Sequence, residues 1–115
     1  MDLKQRDDEL NAAITSGQGV PRMHEFYDPQ CTMTENTDDP CVGLQANLER
    51  EAKFFEIIET FHGARLLSQA VGDGVTMTEW LFDMTLKGAP RASMQQVAVR
   101  HWRDGKVVAE RFYHK

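Results

Sequence analysis

Four runs in the second half of the chain limit what it can become. "ARLLSQAV", "VTMTEWLFDMT", "ASMQQVAVRHW" and "KVVAERFYH" each mix β-branched or aromatic residues with polar ones, and "GDG", "KGAPR" and "DG" separate them. Runs of this kind between turn signals are strands, and separators this short make them antiparallel neighbours. The last separator, Asp104-Gly105, is a two-residue hairpin turn. It pairs Trp102 with Val107, His101 with Val108, Arg100 with Ala109 and Val99 with Glu110. On that register one face carries Val97, Val99, His101, Val108, Glu110 and Phe112, and the other Ala98, Arg100, Trp102, Val107, Arg111 and Tyr113. Both faces are apolar surfaces with charges set into them, so both need cover.

The first half is helical. Leu3, Asp7, Leu10 and Ile14 recur at helical spacing and Gly17 with Gly19 ends the run, which predicts a helix over 2–15. Pro21 suits a first helical position, and Met23, Phe26 and Tyr27 form one stripe, so a second short helix follows until Asp28-Pro29 stops it. "CTMTE" alternates as a brief strand and "NTDDP" is a loop. The longest periodic segment is "LQANLEREAKFFEIIETFHG". Leu44, Leu48, Ala52, Phe55, Ile58 and His62 line one side, Glu49, Arg50, Lys53, Glu56 and Glu59 lie mostly elsewhere, and Gly63 stands where a helix C-cap belongs.

Helices first and four antiparallel strands afterwards is an α+β layout: a strongly curved, mostly antiparallel sheet wrapped around N-terminal helices. The concave face then lines a helix-capped cavity. Trp102, Tyr113, Ala98 and Leu81 would form an apolar patch if their face were left bare, so a second subunit of a homodimer is expected to cover it, with Glu79, Asp83, Arg100 and Arg111 in ion pairs at the seam. Hairpin spacing says only that such residues share a face, and family resemblance says which face is concave.

With 115 residues the chain is expected to be a single domain over 1–115. A net charge of −5 with no run of basic residues argues against nucleic acid as a partner. No apolar stretch approaches the roughly 20 residues of a membrane span. "MDLKQRDDEL" is too charged for an export signal, so a cytoplasmic protein is expected. Cys31 and Cys41 have no CxxC spacing and no nearby His pair. Zinc is therefore not expected, and reduced thiols are the default, with a strand-to-loop disulfide as the alternative. No nucleophile elbow, phosphate loop or dinucleotide fingerprint is present, and no cofactor is expected.

"FYDPQCTMTEN" after a short helix, the helix "FFEIIETFHG", and then "GDGVTMTEWLFDMTLKG" and "VAVRHWRDGKVVAERFYHK" together resemble the SnoaL-like polyketide cyclase family of the nuclear transport factor 2-like superfamily. The resemblance covers everything after the first helix. It implies a cone-shaped α+β barrel, usually a homodimer packed through the sheet, with a pocket between sheet and helices. Its members include cyclases, isomerases, dehydratases and epoxide hydrolases as well as proteins without known activity.

Comparison with the related ketosteroid isomerases implies a general base at Glu35 and a pocket lined by Trp80, Phe82, Gln95, Val97, Val99, Glu110, Phe112 and His114. The position of their oxyanion-binding Tyr falls near Asn11 and that of their protonated Asp on Val97, which argues against the same isomerase chemistry.

On the residues themselves, Glu110 between Val108 and Phe112 needs a partner. His101 or His114 offers a carboxylate–imidazole pair, and a marginal arginine offers a purely structural one. Tyr27 is either core or presents its hydroxyl to a ligand. His62 is a helix-end residue, and His24 lacks the second His of a zinc-hydrolase motif. Trp80, Phe82 and Met84 share one strand face and suit an apolar or aromatic organic ligand.

The reading that results is a small-molecule pocket protein with cofactor-free acid–base catalysis, of isomerase, cyclase or dehydratase type. Glu35 acts as base, and His101 or Glu110 assists. The alternative is a non-catalytic ligand-binding or dimeric interaction module.

Overall fold

The computed structural model describes residues 2–115. Helix α1, Leu3–Thr15, begins at Asp2, whose carboxylate accepts from the backbone N–H groups of Lys4 and Gln5 at 3.0 and 3.3 Å. A single turn of helix α2, Met23–Phe26, leads directly into strand β1, Tyr27–Glu35. Two-residue β2, Cys41–Val42, precedes helix α3, Leu44–Glu56. Strands β3 (Ile58–Val71), β4 (Val75–Leu86), β5 (Arg91–Arg103) and β6 (Lys106–Tyr113) follow. They form one six-stranded sheet in the order β2-β1-β6-β5-β4-β3, antiparallel except where β1 lies parallel to β6. The predicted α+β class and curved sheet are therefore correct.

Three register shifts between β3 and β4 add local bends, and the sheet curls over α1 and α3. Leu10, Ala13, Met23, Phe26, Tyr27, Cys31, Met33, Trp102 and Val107 make the core between them. Arg6 ties three pieces together. Its guanidinium donates to the carbonyls of Glu25 and Gly105 and lies 4.6 Å from the Phe26 ring centre.

Two expectations are corrected. Helix α3 ends at Glu56 instead of running to a cap at Gly63, because Ile58 already pairs with Leu86 on β4. The β-branched Ile57-Ile58 pair suits a strand as well as a helix, and the cross-strand partner decides. His62 consequently sits on an exposed strand position, where Nε2 is 2.9 Å from the Thr85 hydroxyl.

The last hairpin also differs. Trp102 pairs with Val107 as expected, but His101 pairs with Ala109, leaving Val108 as a bulge. Every residue beyond it shifts by one. Arg100 now faces Glu110, Val99 faces Arg111 and Ala98 faces Phe112. A one-residue slip exchanges the faces of the residues beyond it, so Glu110 and Phe112 join Arg100, Trp102 and Ala98 on one face, and packing buries that face on the concave side, away from any outer seam. Asp83 does form an exposed ion pair, with Arg91 at 2.7 Å.

Candidate functional site

A cavity of about 750 Å³ lies between the concave sheet face and the helices. Alternation along β4 points Trp80, Phe82 and Met84 into it, and Trp80 stacks on Phe82 with ring centres 5.6 Å apart. Phe112 of β6, Phe61 of β3 and Phe54 and Phe55 of α3 extend the apolar wall. Phe54 and Phe55 are 37% and 49% exposed, so α3 leaves apolar surface at the cavity instead of burying it in the core. A volume and lining of this kind match a small-molecule site.

Two polar groupings interrupt the apolar wall. The outer one is built on the parallel β1–β6 pair, where Glu35 stands opposite Phe112. Asn36 accepts from the backbone N–H of His114 at 2.9 Å and donates its own N–H to the Phe112 carbonyl at 2.7 Å, holding the end of the chain beside β1. This brings His114 Nε2 within 2.7 Å of one Glu35 oxygen. The other Glu35 oxygen accepts from Arg50 of α3, also at 2.7 Å. Hydrogen bonds to the Lys115 carbonyl and to Glu35 raise the His114 pKa above its ordinary value, favouring imidazolium.

The inner grouping is a buried chain. Arg100 donates to Glu110 and to Asp7, each at 2.7 Å, and to the Asn11 side-chain oxygen at 2.6 Å. Tyr27 donates its hydroxyl to the second Glu110 oxygen at 2.5 Å. Thr76 and Gln69 complete the Asp7 carboxylate at 2.8 Å each. Burial of Arg100 opposes its charge, but Glu110 and Asp7 more than compensate and hold it above its ordinary value. Burial and then the Glu110 charge raise the Tyr27 pKa well above normal, so Tyr27 stays a phenol and a donor. Every member of this chain is satisfied, as a buried polar network must be.

Of the residues singled out from sequence, Tyr27, Glu35, Trp80, Phe82, Glu110, Phe112 and His114 line the cavity together. Gln95, Val97, Val99 and His101 do not. The Val108 bulge puts them on the outer face, and Met94, Gln96, Ala98 and Arg100 take the inner positions. The partner of Glu110 is thus Arg100, while the imidazole of His114 meets Glu35.

Sequence reasoning missed Asp7, Asn11, Arg50 and Glu51. Asp7 carried a signal, a carboxylate inside an otherwise apolar helical stripe. Arg50 and Glu51 carried none, because they read as part of a solvated face until α3 is seen to roof a cavity.

Cys31 and Cys41 are free thiols. Burial pushes the Cys31 pKa up to about 11, which makes it a poor nucleophile. Among the described residues no three His, Cys, Asp or Glu side chains are grouped as metal ligands, and no helix is long and apolar enough to cross a membrane.

Known proteins place this architecture. A protein from Mesorhizobium loti described as a SnoaL-like polyketide cyclase superposes with a TM-score of 0.88 at 20% identity, over 98% of this chain and 99% of that one. Another so described, from a Jannaschia species, gives 0.84 at 11% identity over 96% and 86%. A protein of ketosteroid isomerase-like fold from Catenulispora acidiphila, solved in complex with trimethylamine, gives 0.75 at 14% identity over 89% and 79%. At these identities the likeness establishes the fold. No curated protein matches the sequence significantly. The model of the SnoaL-like domain matches residues 14–114, nearly the whole chain. The protein therefore belongs to the SnoaL-like domain family, within the nuclear transport factor 2-like fold.

Proposed function

We propose that the protein binds an apolar or aromatic organic molecule in its cavity and performs cofactor-free acid–base chemistry on it, of isomerase, cyclase or dehydratase type. The observation that carries this reading is the Glu35–His114 pair, 2.7 Å apart on the wall of an apolar cavity. A carboxylate in contact with an imidazole can pass it a proton taken from a ligand, and the imidazole is the group that changes charge near neutral pH. Glu35 is the base in this reading, with His114 as its proton partner and Arg50 holding the carboxylate in place. Glu110 contributes to the polar end of the cavity but is committed to Arg100 and Tyr27. His101 faces away and takes no part. That the Catenulispora protein holds trimethylamine supports a small organic ligand for this fold.

A second reading, ligand binding without chemistry, is favoured by one fact: both Glu35 oxygens already have partners. Deuterium exchange next to the carbonyl of a panel of enolisable cyclic ketones, followed by NMR, separates the two. Under the catalytic reading Glu35→Gln and His114→Asn slow exchange by about 10²-fold or more. Exchange at the buffer rate across a panel that binds leaves the non-catalytic reading.

We also propose a homodimer through the outer sheet face, where Met77 and Tyr113 are 45% and 47% exposed beside half-buried Val97 and Val99. A single monomeric boundary in sedimentation at micromolar concentration is inconsistent with it.

A further inference from the structure

Resting on the ligand-binding reading of the cavity, we infer that its preferred ligand is an organic cation. The ammonium group of this ligand lies against Glu51 and its apolar groups lie against the aromatic wall. Three carboxylates, Glu35, Glu51 and Glu110, and two guanidiniums, Arg50 and Arg100, line the cavity. Arg100 is spent between Glu110 and Asp7, while Arg50 hydrogen-bonds Glu35 and the Met33 sulfur and leaves Glu51 only a longer ion pair. When protonated, His114 is held by Glu35 as well.

Glu51 is left over. Its closest cation is Arg50 at 3.6 Å, too long for a hydrogen bond, and its carboxylate accepts none from any described residue. Its side chain is only 26% exposed.

The other groups facing Glu51 make its position worse. Glu35 and neutral Tyr27 approach from β1, and Glu110 approaches from β6. Burial raises the Glu51 pKa above the ordinary carboxylate value. Arg50 works against that rise, and Glu110 and Glu35 add to it. A neutral ligand leaves this arrangement unrelieved, and an anionic one adds a further negative charge to it. An ammonium ion supplies the missing counter-charge. Phe82, Phe54 and Phe55 offer ring surfaces that attract cations and bury alkyl groups equally well. A carboxylate held by one long ion pair and no hydrogen bond, and an aromatic wall, therefore select the same chemical class.

The test compares benzyltrimethylammonium with neopentylbenzene, its uncharged carbon isostere, by NMR titration of the full chain. Glu51 makes no hydrogen bond, so Glu51→Gln is expected to fold as the wild type does. The cation should bind the wild type at least about tenfold more tightly than the isostere, as one ion pair with cation–π support provides. Glu51→Gln should cut that preference to the few-fold that cation–π contact alone provides, while leaving the isostere's Kd within about twofold. Benzyltrimethylammonium keeps its charge at every pH, so its affinity for the wild type should also rise as pH rises through the Glu51 titration, and in Glu51→Gln that rise should shrink to the part left by loss of the His114 charge. Equal affinity for the two probes, or a preference undiminished by Glu51→Gln, overturns the cation inference while leaving the ligand-binding reading in place. Absence of cavity-residue shifts with either probe overturns both.

Discussion

Arg100 and Glu110 meet across the last hairpin at 2.7 Å with each side chain 1% exposed. The other side of the same guanidinium reaches Asp7 on α1 at 2.7 Å, so a single arginine joins the first helix to the last strand. Removing it leaves two carboxylates buried without a cation. Arg100→Met is therefore expected to lower stability by about 3–5 kcal/mol, the range for an uncompensated buried charge. Glu110→Gln, which leaves the Asp7 bond intact, should cost about 1–3 kcal/mol. Urea unfolding of both variants checks the order, and an Arg100→Met protein within 1 kcal/mol of wild type, on the scale of a surface change, contradicts it.

The Glu35–His114 bond predicts a pH-dependent contribution to stability. The folded-state pKa of His114 is raised from its ordinary 6.5, chiefly by hydrogen bonds to the Lys115 carbonyl and Glu35. Its stabilisation is thus fully present below 6.5 and fades as pH rises through the raised folded value. Unfolding of wild type and His114→Asn at pH 5.5 and pH 8.5 should show a gap at the lower pH that narrows at the higher. A gap that widens with pH reverses the sign and removes the imidazolium from this role.

Asp104 and Gly105 both have positive φ, 53° and 76°, as the two-residue hairpin turn requires. Gly105→Ala should cost about 1–2 kcal/mol, since an L-residue is strained there. Asp104→Asn, which tolerates the same backbone, should be neutral within about 0.5 kcal/mol. Thermal unfolding of the pair reads the difference directly.

Phe55 contributes to the cavity wall while remaining half exposed. Phe55→Ser should leave stability within about 0.5 kcal/mol and weaken binding of an aromatic probe about tenfold through lost apolar contact. Trp80→Ala, at a fully buried wall position, should instead cost about 3–5 kcal/mol in stability. If Phe55→Ser binds the probe as wild type does, the probe occupies a different part of the cavity.

Local chemistry by itself determined the helix over 2–15, the four long strands apart from the first six residues of β3, the hairpin turn at Asp104-Gly105 and the alternation that puts Trp80, Phe82 and Met84 on one face. Each follows from spacing between near neighbours, which no distant contact alters. Glu35 and His114 were also legible as cavity residues, through likeness to a family. Tertiary structure alone decided where α3 stops, because Ile57-Ile58 is ambiguous until Leu86 stands opposite. It also decided which face of the last hairpin looks inward. Alternation states which residues share a face only as long as no residue is inserted, and the Val108 bulge inserts one. Thus Glu110 meets Arg100 through a bulge that alternation does not reveal, and His101 turns outward and Glu51 comes to face a cavity through packing between segments far apart in the chain.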